Sequence, residues 1–334
     1  MKAFVTGSTG LLGNNLVRLL LEQGHQIKAL VRSKEKATKL FGDLPIEYVI
    51  GDMEDVEGFA AEIEGCDVLF HTAAYFREYY QKNEDHWKKL EKINIKGSLK
   101  ILEEAEKRNV KKAIYVSSSG TIGMKPDGTA GDENTPPSAF TAENLYFKSK
   151  VLADKAVTEF TKTHKLPVVQ ILPGWMFGIG DAAPTSSGQI VLDFLNGKLP
   201  GTFNGGTSTV DAKDVAQAMI NAVEKGKTGK KYIIGGEFYT MEEVVANLAE
   251  VSGLPKLKMK IPNFAILTLA TFSELFSRLT GKPAMISKNG VKTLQAKLTV
   301  DSTKAKRELD ARFRPLSETL QAEVNWYRQN GYAK

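Results

Sequence analysis

The sequence has one cysteine, Cys66, in 334 residues, so it can form neither an internal disulfide nor a cysteine-based metal cluster. Its four histidines, at 25, 71, 86 and 164, never fall three to five residues apart, which removes any local metal-ligand pair. Long apolar runs are also lacking. The longest uncharged one, Phe264 to Phe272, is about half a bilayer span. The chain opens Met1-Lys2 and enters an apolar strand pattern at once, with no signal-peptide pattern ahead of it. Charge of one sign is scarce too: 45 basic residues against 39 acidic give a net +6. Lysines interleave with glutamates through 82–112, as on solvated helix faces rather than on a nucleic-acid patch. A metal centre, a membrane span and a nucleic-acid partner are therefore not expected, and a cytoplasmic enzyme of about two domains is.

What is present is alternation. Short apolar runs at Ala3–Thr6, Ile27–Val31, Ile46–Ile50, Val68–Phe70, Ala113–Val116, Val168–Leu172 and Tyr232–Ile234 read as strands. Several lack polar alternation, as strands buried on both faces do. Amphipathic stretches at Leu12–Glu22, Val56–Ile63, Ile93–Lys107, Asn144–Thr163 and Val215–Glu224 read as helices between them. The pattern predicts an α/β fold, a Rossmann-type doubly wound parallel sheet of about seven strands with a smaller C-terminal substrate-binding lobe. Residues 1–173 form the dinucleotide-binding domain in this reading, with 211–236 returning to it. Residues 174–210 and 237–334 form the lobe.

The first strand runs into Gly7-Ser8-Thr9-Gly10-Leu11-Leu12-Gly13 and then a helix. Glycines there permit a tight turn, close approach of a pyrophosphate, and close packing of helix on strand. The helix N-terminus supplies free N–H groups and partial positive charge. The spacing is GxxGxxG, and its place between strand and helix makes the signal strong. Arg32, at the end of the second strand, stands where an acidic residue would hold the adenosine ribose diol. With Ser33 and Lys34 beside it, it suits a 2′-phosphate, so NADP(H) rather than NAD(H) is expected, with an exposed strand-end arginine as the plain alternative. Asp52, followed by Met53, either accepts from the adenine amino group or caps a helix over 54–63.

Tyr146 and Lys150 are four residues apart, on one face of a predicted helix. A phenol with pKa near 10 is a poor acid–base at neutral pH, and a nearby ammonium would bring it toward the working range. Together with Val116-Ser117-Ser118-Ser119-Gly120, His71-Thr72-Ala73-Ala74, Ile93–Leu102 and the ILPGWMFGIGD turn at 171–181, this pair resembles the extended short-chain dehydrogenase/reductase superfamily over essentially the whole chain. The resemblance implies catalytic roles for Ser119, Tyr146 and Lys150, with Ser118 as the fallback serine. It implies cofactor contacts at Thr72, Ala73, Ala74, Ser117, Pro173 and Gly174, and a mainly structural Asn94. A homodimer is implied as well.

Within that superfamily the chain looks most like the dihydroflavonol 4-reductase-like group, which includes proteins labelled hopanoid-associated sugar epimerases. That resemblance implies an NADPH-dependent reductase of a small-molecule ketone or aldehyde. The alternative is a nucleotide-sugar epimerase or dehydratase with retained NAD. No basic residue occurs from 199 to 212, where a nucleotide diphosphate would need its clamp. Candidate substrate contacts are Tyr75 with Phe76 and Arg77, Thr121 with Ile122, and Trp175 with Met176 and Phe177, all after strand ends. Trp175 could equally be core. The Phe264–Phe272 run reads as a helix over the pocket or at a surface contact, or as the wall of a lipid-like substrate channel.

Overall fold

The computed structural model describes residues 1–76, 85–280 and 286–333, apart from the side chain of Arg278. Its strands are β1 (Lys2–Thr6), β2 (Gln26–Val31), β3 (Glu47–Ile50), β4 (Val68–His71), β5 (Lys112–Val116), β6 (Val168–Pro173), β7 (Trp175–Phe177), β8 (Thr202–Phe203), β9 (Gly206–Asp211), β10 (Lys231–Ile234), β11 (Glu237–Thr240) and β12 (Lys260–Ile261). Seven form one sheet in the order β10-β6-β5-β4-β1-β2-β3. Every pairing in it is parallel. All seven strands read from the apolar runs are in it.

Both faces of this sheet are covered, and the side-chain period of two divides each strand between two cores. Ala3 and Val5 of β1 face the cluster beneath the helices Leu11–Glu22 and Ala212–Lys225, while Phe4 faces the cluster beneath Ser98–Lys107 and Leu145–Thr163. In β4, Val68 and Phe70 join the first cluster and Leu69 the second. A strand apolar on both sides can only sit inside such a sandwich, which is why these runs carry no polar alternation. The chain passes outward through β1, β2 and β3 and returns on the other side of β1 to β4. β1 and β4 stay paired to their carboxyl ends at Thr6 and His71, but the helices that follow them pack on opposite faces of the sheet, and the crevice at that switch point is where ligands bind in such sheets.

After β6 the chain builds a second lobe. β11 pairs antiparallel with β9, and β9 parallel with β7. The helices Ser186–Leu195, Met241–Ser252 and Leu316–Gln329 bury Val191, Val244, Leu248, Leu320 and Val324 in a core of their own. A further small cluster joins Ile261, Ile266, Ala270 and Val291. From the C-terminal stretch, Ala305 and Leu309 pack instead with the sheet. Among the described residues no helix is long and apolar enough to cross a membrane.

Two local expectations change. The stretch Val56–Ile63 is not a helix; only Ala60–Ile63 makes a 3-10 turn. Gly58 interrupts it, its N–H taken by the Asp55 carboxylate at 3.2 Å. Conversely, Lys34–Phe41 is a helix capped by Ser33, whose hydroxyl accepts from Lys36 N–H.

The turn after β1 is set by contact. A Cβ on Gly13 would lie 2.1 Å from the Gly7 carbonyl oxygen, whereas one on Gly10 would meet that oxygen at 3.4 Å. Gly13→Ala should therefore destabilise the fold by about 1–3 kcal/mol, and Gly10→Ala by clearly less. Urea denaturation of the two variants checks this, and equal losses would contradict the close approach.

Candidate active site

The helix Leu11–Glu22 begins at Gly10 with no side-chain cap, so its first N–H groups face the crevice. Gly7, at φ +65°, makes the turn; its missing Cβ leaves room for Thr72 Oγ1 and Ala73 N, each 2.7 Å from where that atom would be. Asn15 Nδ2 donates to Ile179 O and Asn14 Nδ2 to Gly180 O, tying this helix to the turn after β7. Glycine backbone, open N–H groups and the dipole fit the pyrophosphate of a dinucleotide.

Beside the loop lies a buried hydrogen-bond chain. Thr6 Oγ1 is 2.7 Å from His71 Nδ1, and His71 Nε2 is 2.9 Å from Ser98 Oγ, which donates to Asn94 O. Because the serine proton is committed to that carbonyl, His71 carries its proton on Nε2 and accepts at Nδ1. Burial, and secondarily the Lys150 charge, push the imidazole down to about 3, so it stays neutral. Asn94 then holds the loop after β4: its Oδ1 accepts from Tyr75 N, and its Nδ2 reaches Tyr75 O and Ser149 Oγ. Its structural role fits these bonds.

The helix carrying Tyr146 is capped by Asn144, whose Oδ1 accepts from Tyr146 N and Phe147 N. Phe147 fills the space a Cβ on Gly120 would need, which seats the helix on the serine turn. Phe76 meets the Tyr146 ring edge-on at 4.9 Å. Lys150 is buried and donates to Val116 O at 2.9 Å. Burial lowers its pKa to about 8, opposed by Asp154 one turn on. Ser118 caps the turn Ser119–Thr121 through Gly120 N–H, while both Ser118 and Ser119 line the cavity.

That cavity, of about 460 Å³, brings together most of the residues singled out from sequence. Gly7, Gly10, Leu11, Leu12, Gly13, Thr72, Ala74, Ser117, Ser119, Tyr146, Lys150, Pro173, Gly174, Trp175 and Met176 all line it. Thr9, Arg32, Asp52, Met53, Ala73, Tyr75 and Thr121 do not. Thr121 is buried, donating to Ser118 O and Asp154. Tyr75 turns its hydroxyl to His86, and Met53 joins the core. Of the other pocket candidates Phe76 is on the wall, while Phe177 and Ile122 are core. Arg77 lies outside the described residues. Asn144 was missed, although an asparagine just ahead of an apolar-periodic run is an N-cap signal. On the far wall Ile266 comes from the Phe264–Phe272 run, which the sequence offers as a helix over the pocket, while Leu199, Phe203, Ile286 and Leu294 come from segments distant in sequence that left no local signal.

The fold and this site define a Rossmann-fold NAD(P)-binding oxidoreductase or epimerase-dehydratase acting on a small molecule. The model of the NAD dependent epimerase/dehydratase family matches residues 3–235, and the chain belongs to that family. It is 34% identical to the "Putative dihydroflavonol 4-reductase" of Synechocystis sp., over 99% of this chain and 96% of that one. It is 27% identical to the sterol demethylase protein B of Methylococcus capsulatus, over 99% of each. Among solved structures, UDP-glucuronic acid 4-epimerase from Bacillus cereus in complex with UDP-glucuronic acid and NAD shares the fold, with a TM-score of 0.79, 18% identity, and 99% and 100% of the two chains covered.

Taken together the comparisons favour the epimerase/dehydratase reading over an NADPH-consuming reductase. They also overturn the expectation of NADP(H), since the family is NAD dependent and that structural relative carries NAD. The geometry supplies a reason. Arg32 is 85% exposed with its Nε 4.0 Å from the Asp52 carboxylate, a neighbour that repels a 2′-phosphate and suits a ribose hydroxyl. Ser33, expected to assist, is committed to its helix cap.

The depressed Lys150 pKa makes a linkage prediction. Between about pH 8 and the unfolded value near 10.5 the unfolded chain binds more protons than the folded one, so stability rises with pH through that window. Relative to Lys150→Met, the wild type should gain about 2–3 kcal/mol from pH 8 to 10.5. Paired urea titrations measure it; a constant difference would place the buried ammonium's pKa at its ordinary value.

Proposed function

We propose that this protein is an NAD(H)-dependent oxidoreductase interconverting a secondary alcohol and a ketone on an apolar, ring-bearing small molecule. One observation carries the reading: the reactive end of the cavity has Tyr146, Lys150 and Ser119, while the rest of its wall is largely apolar, with Phe76, Trp175, Met176, Leu199 and Phe203. Bound NAD(H) would accept or supply the hydride. The chain's own residues manage everything else. Ser119 orients the substrate oxygen. The Tyr146 hydroxyl exchanges its proton with that oxygen, and the Lys150 charge favours the phenolate when the proton must be taken up. The neutral His71 adds no competing charge. Asn144 and Asn94 fix the helix that carries the tyrosine. In this scheme residues 1–173 and 211–236 hold the cofactor, and 174–210 with 237–334 hold the substrate.

A second reading, a nucleotide-sugar epimerase or dehydratase that keeps its NAD, is favoured by the family itself and by the UDP-glucuronic acid of the structural relative. Against it stands the wall's charge: among the described residues its basic members are Lys150 and Lys198, with Thr207 where a diphosphate-binding arginine is expected.

The test is NAD(H) turnover with polycyclic and flavonoid alcohols and ketones, run beside UDP-sugar conversion and extraction of retained nucleotide. Tyr146→Phe should cut turnover by roughly 10²–10⁴ with binding of NAD retained. UDP-sugar conversion without net NAD(H) turnover would establish the second reading instead.

A further inference from the structure

The helix Asn263–Thr280 is turned inside out relative to an ordinary surface helix. Its buried side is narrow: Ile266 and Ala270 pack into the small cluster with Ile261 and Val291. Its solvent side carries the large apolar residues. Phe264, Leu269, Phe272, Leu275, Phe276 and Leu279 are all exposed, Phe264 and Leu279 at 76% and 79%. At about 100° per residue these six fall within one arc of about 140°, opposite the buried side. Scattered exposed leucines need no explanation, but a continuous stripe of six large side chains does.

Three threonine hydroxyls on the same helix are taken up by its own backbone. Thr268, Thr271 and Thr280 donate their hydroxyls to the carbonyls of Phe264, Leu267 and Phe276. Glu274, one of the two charged residues in 263–280, accepts from Lys288 N away from the stripe. Immediately ahead of the helix stand three exposed lysines, Lys256, Lys258 and Lys260, around the exposed Met259. Lys260 pairs with Glu242. An apolar face flanked by lysines fits the headgroup–acyl boundary of an anionic bilayer. The helix also lines the cavity from its buried side, through Ile266, so it lies between the outward face and the site.

We propose that Asn263–Thr280 with its preceding lysines docks this protein on anionic lipid membranes, the helix lying in the interface plane. The stripe provides apolar insertion, and the lysines provide attraction that salt weakens. The docking itself does not depend on which substrate the cavity takes.

Flotation with lipid vesicles tests it. The full-length protein should float with vesicles of equal parts phosphatidylcholine and phosphatidylglycerol, and much less with phosphatidylcholine alone. The double variant Phe272→Ser, Phe276→Ser should lose at least about tenfold of the vesicle-bound fraction while keeping its unfolding midpoint and NAD binding. Replacing Lys256 and Lys258 by Ala should weaken binding and flatten its salt dependence. Absence of flotation by the wild type, or equal flotation by the serine variant, overturns the proposal. So does a wild type that ignores vesicles but is a dimer the serine variant dissociates, since the stripe is then a contact between copies.

Discussion

The distance between the first turn of one helix and the end of one strand governs this molecule. The backbone at Gly13 approaches the Gly7 carbonyl so closely that no side chain fits between them. That contact brings the open N-terminus of Leu11–Glu22 down onto the carboxyl edge of the sheet, at the switch point between the paired strands β1 and β4. Everything that makes the edge a site follows from it. Thr72 and Ala73 occupy the space beside Gly7, His71 is held between Thr6 and Ser98, and Asn14 and Asn15 fasten the turn at 178–180. A glycine costs conformational entropy in a helix, and here that cost is offset by a position nothing larger could take.

Tyr146 and Lys150 are placed with comparable economy from the opposite face of the sheet. Asn144 starts the helix, Phe147 locks it over Gly120, and Lys150 reaches the last carbonyl of β5. Asn94, on a π-helical segment at Glu91–Gly97, links that helix to the loop after β4 through Ser149 and Tyr75. Local widening of a helix is a known way to aim one side chain differently from its neighbours. A buried polar network of this kind tolerates no partial satisfaction, so it defines one geometry for the tyrosine.

The second lobe differs in character. Its wall of the cavity is apolar, and the helix adjoining it presents more apolar surface outward than inward. Both features point toward molecules that partition out of water. A site that hydrogen-bonds at one end and excludes water along the rest suits a reaction at one oxygen of an otherwise apolar body.

Much of the first lobe was legible in the sequence because its determinants are local. Buried parallel strands announce themselves as unbroken apolar runs, and GxxGxxG between strand and helix has few other uses. Tyr146 and Lys150 share a helix face by spacing alone. Gly58 shows the limit: the apolar period of 56–63 is helical, yet a glycine and an aspartate side chain end the helix before it starts. The short strands β9 and β11 were unreadable because, despite strand-forming Thr, Val, Phe and Tyr, neither carries an unbroken apolar run and only their pairing fixes them as a sheet. The cofactor expectation failed for a tertiary reason. Arg32 and Asp52 end different strands, and only the pairing of β2 with β3 sets a carboxylate beside the arginine. So the chain's own order determined the Rossmann-type sheet and the shared helix face of Tyr146 and Lys150, through periodicity and spacing within single elements. Tertiary structure alone decided the carboxylate beside Arg32 and which separate segments of the second lobe close the far wall of the cavity, because each is made by residues that meet only in space.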